Sequence, residues 1–402
     1  MTISRERFLR VLAADDSAVM RGVMRTLFQR QAELGRTDMP KMELIGVVRD
    51  GVECLESVET LSPDVLVLDL EMPRLNGLEV LDRLRSRKRG LPVIMCSSHT
   101  EKGARATLDA LMRGASDYVM KPASQRDFEI AMASLADQLL PKIAALAVRA
   151  NPSPRDGVEQ ARFRTKAEEP DAGLVPAEVV VIGVSTGGPA ALEYLLPRLS
   201  PDLQVPVLIV QHMPKLFTGV LAERLDRCCS LRVEEAYHGQ PLNPGTVLLA
   251  PGGSHMEVAP QVFSTWGDKR RPRAARVKLH SQEPRNHCSP SADYLFWSAA
   301  RMYGPGTLAL VLTGMGSDGL DGARYVYERG GTVLAQDEAT SAVWGMPGRV
   351  TEAGVAQATL PLDAIAREVN QRVKAGRLAS TSVALQSTET TGSRREMAHG
   401  LY

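Results

Sequence analysis

The chain of 402 residues has almost no charge imbalance. Lys and Arg number 48 against 47 Asp and Glu, a formal net charge of +1, so no global basic excess marks it for nucleic acid or for an anionic membrane surface. Cysteine is scarce and never spaced as CxxC. Cys54, Cys96, Cys228, Cys229 and Cys288 leave one over in any pairing, which fits a reducing cytosol better than a disulfide framework. No uncharged apolar run reaches membrane-spanning length without glycine or proline breaks, and the arginine-bearing start MTISRERFLRVLAADD has no apolar signal core behind it. No repeat of fixed period is present. The expectation is a cytoplasmic protein with no nucleic-acid partner and no membrane insertion.

What the chain does have is 44% hydrophobic and 24% charged residues, enough to bury cores and too long for one ordinary domain. Residues 1–148 alternate short apolar runs with helical periodicity. Leu9–Ala14, Leu44–Val48, Val65–Leu70, Val93–Cys96 and Tyr118–Met120 read as strands, with Val19/Val23/Leu27 and Ala104/Leu108/Leu111 on helix faces between them. From 149 to 177 the pattern stops: NPSPRDGVEQARFRTKAEEPDAG is a charged, proline-bearing linker. Alternation resumes over 178–376, with strands at Val179–Val184, Val207–Val210, Val247–Ala250, Leu308–Thr313 and Thr332–Gln336, and helices such as Ala190–Arg198 and Asp363–Val373. A Ser/Thr-rich tail, 377–402, reads as disordered. The fold class is α/β: two doubly wound parallel-sheet domains, the first flavodoxin-like and the second Rossmann-like. The basic run Lys269–Arg273 reads as a solvated loop.

Chemistry in such sheets collects where strands end. In the first domain those ends carry Asp15-Asp16, Asp69, Ser97 and Lys121. Alone, each aspartate is readily a helix cap or a strand-end residue. Carboxylates gathered at one edge repel one another and suit a hard divalent cation, Mg²⁺. A lysine and a hydroxyl facing them would hold a phosphoryl group, with Asp69 as its acceptor. The segments AADDSAVMR, VLVLDLEMPRLNGLE, PVIMCSSHT and GASDYVMKP resemble the signatures of two-component receiver domains over about residues 7–130. That resemblance implies phosphorylation of Asp69 and an Mg²⁺ site of Asp15, Asp16, Asp69 and the Glu71 carbonyl. It also implies switch roles for Ser97 and Tyr118 and phosphate contact by Lys121. The loop Gly35–Lys41 is longer than usual.

In the second domain, VVVIGVSTGGPAALEYLL is a strand, a glycine turn and a helix. The turn fits a Gly-x-Ser-x-Gly nucleophile elbow centred on Ser185, but alone it equally fits a turn that needs glycine for backbone reasons. A phosphate cradle lacks the dinucleotide glycine spacing and the Lys-Ser/Thr of a P-loop. His212 ends the strand PVLIVQHMP, and Asp318 lies in the turn after TLALVLTGMGSDG. Serine, histidine and aspartate thus stand at three strand ends, in an order unlike ordinary α/β-hydrolases. His255, His280, His287 and Cys288 raise a metal question, but no close pair has zinc-ligand spacing.

GVSTGGP, QHMP, LTGMGSDG, APGGSHM and HCSPSADYLF resemble the catalytic domain of the chemotaxis protein-glutamate methylesterases over about 178–376, in that family's domain order. The resemblance implies Ser185 as nucleophile, His212 as general base and Asp318 as its orienting carboxylate. It gives Met315 an oxyanion role through its backbone N–H, and Thr186 a hydroxyl contact to the histidine. It further implies a phosphorylation-activated serine esterase that demethylates, and deamidates, the cytoplasmic domains of chemoreceptors. A histidine kinase is the implied phosphodonor, and ester hydrolysis needs no metal. The departures are an insertion around Asp268–Arg276 and the extended tail. Two other classes compete with this reading: a receiver-controlled module binding a nucleotide or partner at Gly187-Gly188, and a DNA-binding output. The second has no helix-turn-helix grammar or basic recognition helix to support it.

Overall fold

A computed structural model describes residues 8–34, 39–87, 90–122, 128–150, 175–261 and 275–374. Most of the expected linker, the whole tail, the run Lys269–Arg273 and part of the Gly35–Lys41 loop lie outside the described residues.

The first sheet contains β1 (Leu9–Ala14), β2 (Met42–Val48), β3 (Val65–Asp69), β4 (Val93–Ser97) and β5 (Asp117–Met120). All are parallel, in the order β2-β1-β3-β4-β5. Because side chains alternate along a strand, both faces must be covered. Leu12, Leu66, Leu68 and Met95 pack with Cys54, Val58, Leu81 and Leu108, from α2 (Gly51–Leu61), α3 (Gly77–Arg87) and α4 (Glu101–Met112). Val11, Val67, Ile94 and Val119 pack with Val23, Leu27, Leu135 and Ile143, from α1 (Ala18–Leu34) and α5 (Phe128–Ala150). Within α5, Glu129–Ala147 is long and apolar enough to cross a membrane by length and composition. Its apolar side is spent on the sheet: Leu135, Leu139 and Ile143 are fully buried.

The second sheet has seven parallel strands: β6 (Val179–Val184), β7 (Val207–Gln211), β8 (Arg232–Glu235), β9 (Thr246–Leu249), and, after the antiparallel pair β10 (His255–Pro260) and β11 (Ala275–His280), β12 (Thr307–Val311), β13 (Thr332–Gln336) and β14 (Ala358–Leu360). Their order is β14-β13-β12-β6-β7-β9-β8. Helices α6 (Gly188–Leu195), α7 (Lys215–Cys228), α8 (Ala292–Tyr303), α9 (Leu320–Glu328) and α10 (Met346–Glu352) cover it, with α11 over 362–374. The sequence pattern recovers the five inner strands and misses both edges. β8 is Arg-Val-Glu-Glu with one buried residue, and β14 has three half-buried residues. Edge strands this short, one of them mostly charged, carry no apolar run. The helix expected over Ala190–Arg198 is α6 plus a 3₁₀ turn, Leu196–Arg198, that carries Pro197.

The chain leaves β6 in both directions across the sheet, so β6 and β12 flank the switch point at the carboxyl edge. Beneath β6 lies Phe296, fully buried among Val179, Val181, Ala309 and Val311. Only a hydrogen at Gly183 leaves room for it: an added Cβ would stand 3.2 Å from the ring and 2.8 Å from Ala292. Phe296→Ala is expected to cost about 3–5 kcal/mol, read from denaturant unfolding. An unchanged midpoint would contradict this packing.

Candidate functional site

Two groups of chemically active residues stand at the carboxyl edges of the two sheets. In the first, Asp15 and Asp16 follow β1, Asp69 and Ser97 close β3 and β4, and Lys121 follows β5. Asp15, Asp16 and Asp69 bring carboxylate oxygens within 4.8 Å of one another. Lys121 Nζ stands 2.8 Å from Asp69 Oδ2 and 3.0 Å from Asp15 Oδ2. These two oxygens are buried and lack a well-angled hydrogen bond. Burial first, then the neighbouring Asp15 charge, pushes the Asp69 carboxyl up to about 6 despite Lys121. Two buried carboxylates, Asp15 and Asp69, with the exposed Asp16 beside them, are a donor set that fits a hard divalent cation. Ser97 Oγ is fully buried and lies 2.7 Å from Thr107 Oγ1. The Glu71 side chain is exposed and reaches Lys102 at 3.3 Å.

In the second group, Ser185 sits on the sharp turn between β6 and α6. Its N–H donates to Thr313 O (3.0 Å) and its carbonyl accepts from Gly188 N (2.8 Å). Gly187 must be glycine here: φ is +76°, and an added Cβ would meet Ala342 at 2.3 Å. His212 follows β7, tied by its N–H to Val184 O at 3.1 Å. Asp318, 1% exposed, lies in the turn between β12 and α9. As a carboxylate it only accepts, and three segments supply four donors to it: His212 Nε2 (2.8 Å), Asn286 Nδ2 (3.4 Å), and the adjacent Ser291 Oγ (2.6 Å) and Ala292 N (2.6 Å). These bonds hold the Asp318 carboxyl below its usual range against the opposing effect of burial. Burial favours a neutral His212. The bond to Asp318 and the contact of Nδ1 with Cys288 Sγ (3.6 Å) outweigh it and raise the imidazole to about 10. The Met315 and Thr186 backbone N–H groups have no hydrogen-bond partner among the described residues.

The structure brings Ser185, His212, Asp318 and Met315 to one edge, and it corrects one expectation. The Thr186 hydroxyl turns away from the histidine and donates to Asp117 Oδ2 of β5 at 2.6 Å, a buried bond between the two sheets. Asp117 also pairs with Lys142 (2.9 Å). Next to it the Tyr118 ring stacks on Phe217 of α7, centroids 4.8 Å apart. Met315 and Val343 pack against the α1/α5 face of the first sheet. Arg224 reaches Asp109, and Arg105 meets Glu223 at 3.1 Å. A cleft of about 710 Å³ remains beside this contact, lined by Gly187, Thr313 and Ala342 on one side and Leu91, Leu111 and Ala115 on the other. The roles of Asp117, Asn286, Ser291 and Cys288 carry no local sequence signal, since these partners lie 27 to 76 residues away.

Fold and strand-end residues define the class: a receiver followed by an α/β domain with serine, histidine and aspartate at one sheet edge. A response regulator receiver domain model matches residues 11–133 and a CheB methylesterase model matches 180–369. The chain is 44% identical to a Nocardioides sp. protein-glutamate methylesterase/protein-glutamine glutaminase, over 91% of this chain and 95% of that one. It is 39% identical to a Trichodesmium erythraeum protein of the same name, over 90% and 99%. The Thermotoga maritima CheB methylesterase catalytic domain is 38% identical, covering 49% of this chain and 99% of that one, with a TM-score of 0.45. The chain belongs to the CheB methylesterase family.

The His212–Asp318 pair has a direct test. The folded imidazole value lies above the ordinary 6.5, so the pair stabilises the fold fully below that pH and loses its effect as pH rises through about 10. NMR titration of His212 is expected to give a midpoint well above 6.5, moving down in Asp318→Asn. A wild-type midpoint at or below 6.5 would refute the pairing.

Proposed function

We propose that the protein is a protein-glutamate methylesterase and glutamine deamidase acting on chemoreceptor cytoplasmic domains, controlled by phosphorylation of Asp69. The observation that supports this reading most is the buried Asp318. Its other donors fix its position, so its bond to Nε2 orients His212 and, in molecules whose imidazole is neutral, leaves Nδ1 to act as the base. Ser185 Oγ attacks the ester carbonyl while His212 takes its proton. The Met315 and Thr186 N–H groups, unpartnered in the ground state, are suited to the developing oxyanion. The C–O bond breaks and methanol leaves with the proton from His212. Water then attacks the glutamyl–Ser185 ester, again through His212, and frees glutamate and serine. On a glutamine amide the same cycle releases ammonia.

The receiver cluster would hold Mg²⁺ through Asp15, Asp16 and Asp69, with the Glu71 carbonyl completing the protein ligands; the ion supplies charge neutralisation for phosphoryl transfer. A histidine kinase of the sensory array is the natural donor. Control follows from what touches the elbow. In the unphosphorylated chain, Asp117 grips the residue after Ser185, and Met315 is packed on the receiver. We infer that this docking occludes the site. Phosphoryl-Asp69 would recruit Lys121 and Ser97, shifting the β5 end that carries Asp117 and Tyr118. A coupling of ~1–3 kcal/mol suffices for a several-fold or larger change in activity.

Methanol release from methylated receptor is the measurement. Ser185→Ala is expected to lower it by roughly 10³-fold or more, and to lower ammonia release from receptor glutamines equally, with the fold intact. His212→Ala should be nearly as severe and Asp318→Asn milder. A Ser185→Ala protein that keeps most of its turnover overturns the mechanism.

The control arm is separate. Acetyl phosphate should stimulate the wild type, and either Asp69→Asn or EDTA should abolish that stimulation while leaving the basal rate. Stimulation that survives both would place the switch elsewhere.

A further inference from the structure

Beside the proposed base lies a thiol that the esterase mechanism does not use. Cys288 Sγ is 3.6 Å from His212 Nδ1, the ring nitrogen left over once Nε2 is engaged by Asp318 at 2.8 Å. His212, Cys288 and Asp318 each offer a ligand atom, and these atoms all lie within 4.8 Å of one another. The thiol is held there by rigid backbone. Asn286 and His287, just before it, both adopt left-handed φ (51° and 61°), a region that such residues keep only where the surrounding structure holds them. Asn286 is pinned through Nδ2 to Asp293 (3.2 Å) and Asp318 (3.4 Å), and Arg285 by its ion pairs with Asp293 and Asp321.

We propose that His212 and Cys288, backed by Asp318, form an inhibitory site for a zinc-class divalent ion. The inhibition, though not the binding, rests on the esterase reading above. Two ligands at about 2.0–2.3 Å in tetrahedral geometry stand between ~3 and 4 Å apart, which the Nδ1–Sγ pair already satisfies. The donor chemistry selects the metal: imidazole and thiolate suit zinc, whereas the all-oxygen cluster of Asp15, Asp16 and Asp69 suits magnesium. Asp318 holds Nε2–H as the carboxylate partner typical of zinc-bound histidine, fixing the tautomer that points Nδ1 at the ion. Binding displaces the thiol proton and any proton on Nδ1 to solvent. It consumes the lone pair that would accept the serine proton. Cys288 and His212 are partly exposed, which gives the ion a way in. The pair of buried His255 and half-buried His280, rings 5.2 Å apart, brings no third ligand within that range among the described residues.

The test uses the full chain and Co²⁺ as a spectroscopic stand-in for zinc. The wild type should develop a thiolate-to-cobalt charge-transfer band that zinc bleaches. The Cys228→Ser/Cys229→Ser protein should keep the band, and Cys288→Ser should lose it. Without phosphodonor, micromolar zinc should inhibit methanol release, with the half-inhibiting concentration at least tenfold higher in Cys288→Ser, each protein measured against its own metal-free rate. A band that survives Cys288→Ser, no band in the wild type, or equal zinc sensitivity of the two proteins overturns the proposal. The absorption arm is independent of the substrate, so a failed esterase reading would show itself separately, as turnover persisting in Ser185→Ala.

Discussion

A carboxylate buried to 1% exposure is tolerated only where donors surround it, because stripping its water costs several kcal/mol that a lone partner rarely returns. Asp318 meets that demand with donors from the end of β7, the Asn286 loop and the first turn of α8. None of these segments adjoins it in sequence. Forming the second domain's core and fixing the imidazole at the sheet edge that carries Ser185 are therefore one event: the helix that carries Ser291 and Ala292 also carries Phe296 under β6. The N-terminal end of that helix adds its dipole to the stabilisation of the charge.

The second organising contact is Thr186 to Asp117. A buried hydroxyl donating to a carboxylate across a domain boundary is worth more than a surface ion pair, since each group left unpartnered would be desolvated without compensation. The surrounding ion pairs Arg105–Glu223 and Arg224–Asp109 are partly exposed and fix register more than they add stability. The Tyr118–Phe217 stack supplies apolar contact. One buried polar latch, one aromatic contact and a cleft alongside join the β5 end of the receiver to the elbow of the second domain.

Much of this was readable in the sequence because parallel sheets announce themselves. β1, β6 and β13 fall on the apolar runs to the residue, and strand ends are where chemistry concentrates, so Asp69, Ser185, His212 and Asp318 were visible as positions. What stayed hidden was pairing. β8 and β14 lack an apolar run, and β10 and β11 form a separate ribbon off the main sheet. Thr186 was expected to face the histidine; its partner lies 69 residues back in another domain. In sequence Cys288 stands near His280 and His287, yet its histidine contact is His212, 76 residues away. Spacing rules find ligands on one helix or one turn and miss those that a sheet edge assembles.

Control of the second domain by the receiver depends on coupling of the two sheet edges through that latch. The most direct measurement is the basal methanol-release rate of the unphosphorylated Asp117→Asn chain against wild type. Removing the charge that grips Thr186 while leaving Asp69, Lys121 and the second domain untouched should raise the basal rate several-fold and shrink the stimulation by acetyl phosphate. A basal rate equal to or below wild type, with stimulation undiminished, would show that the receiver does not restrain the elbow through this contact.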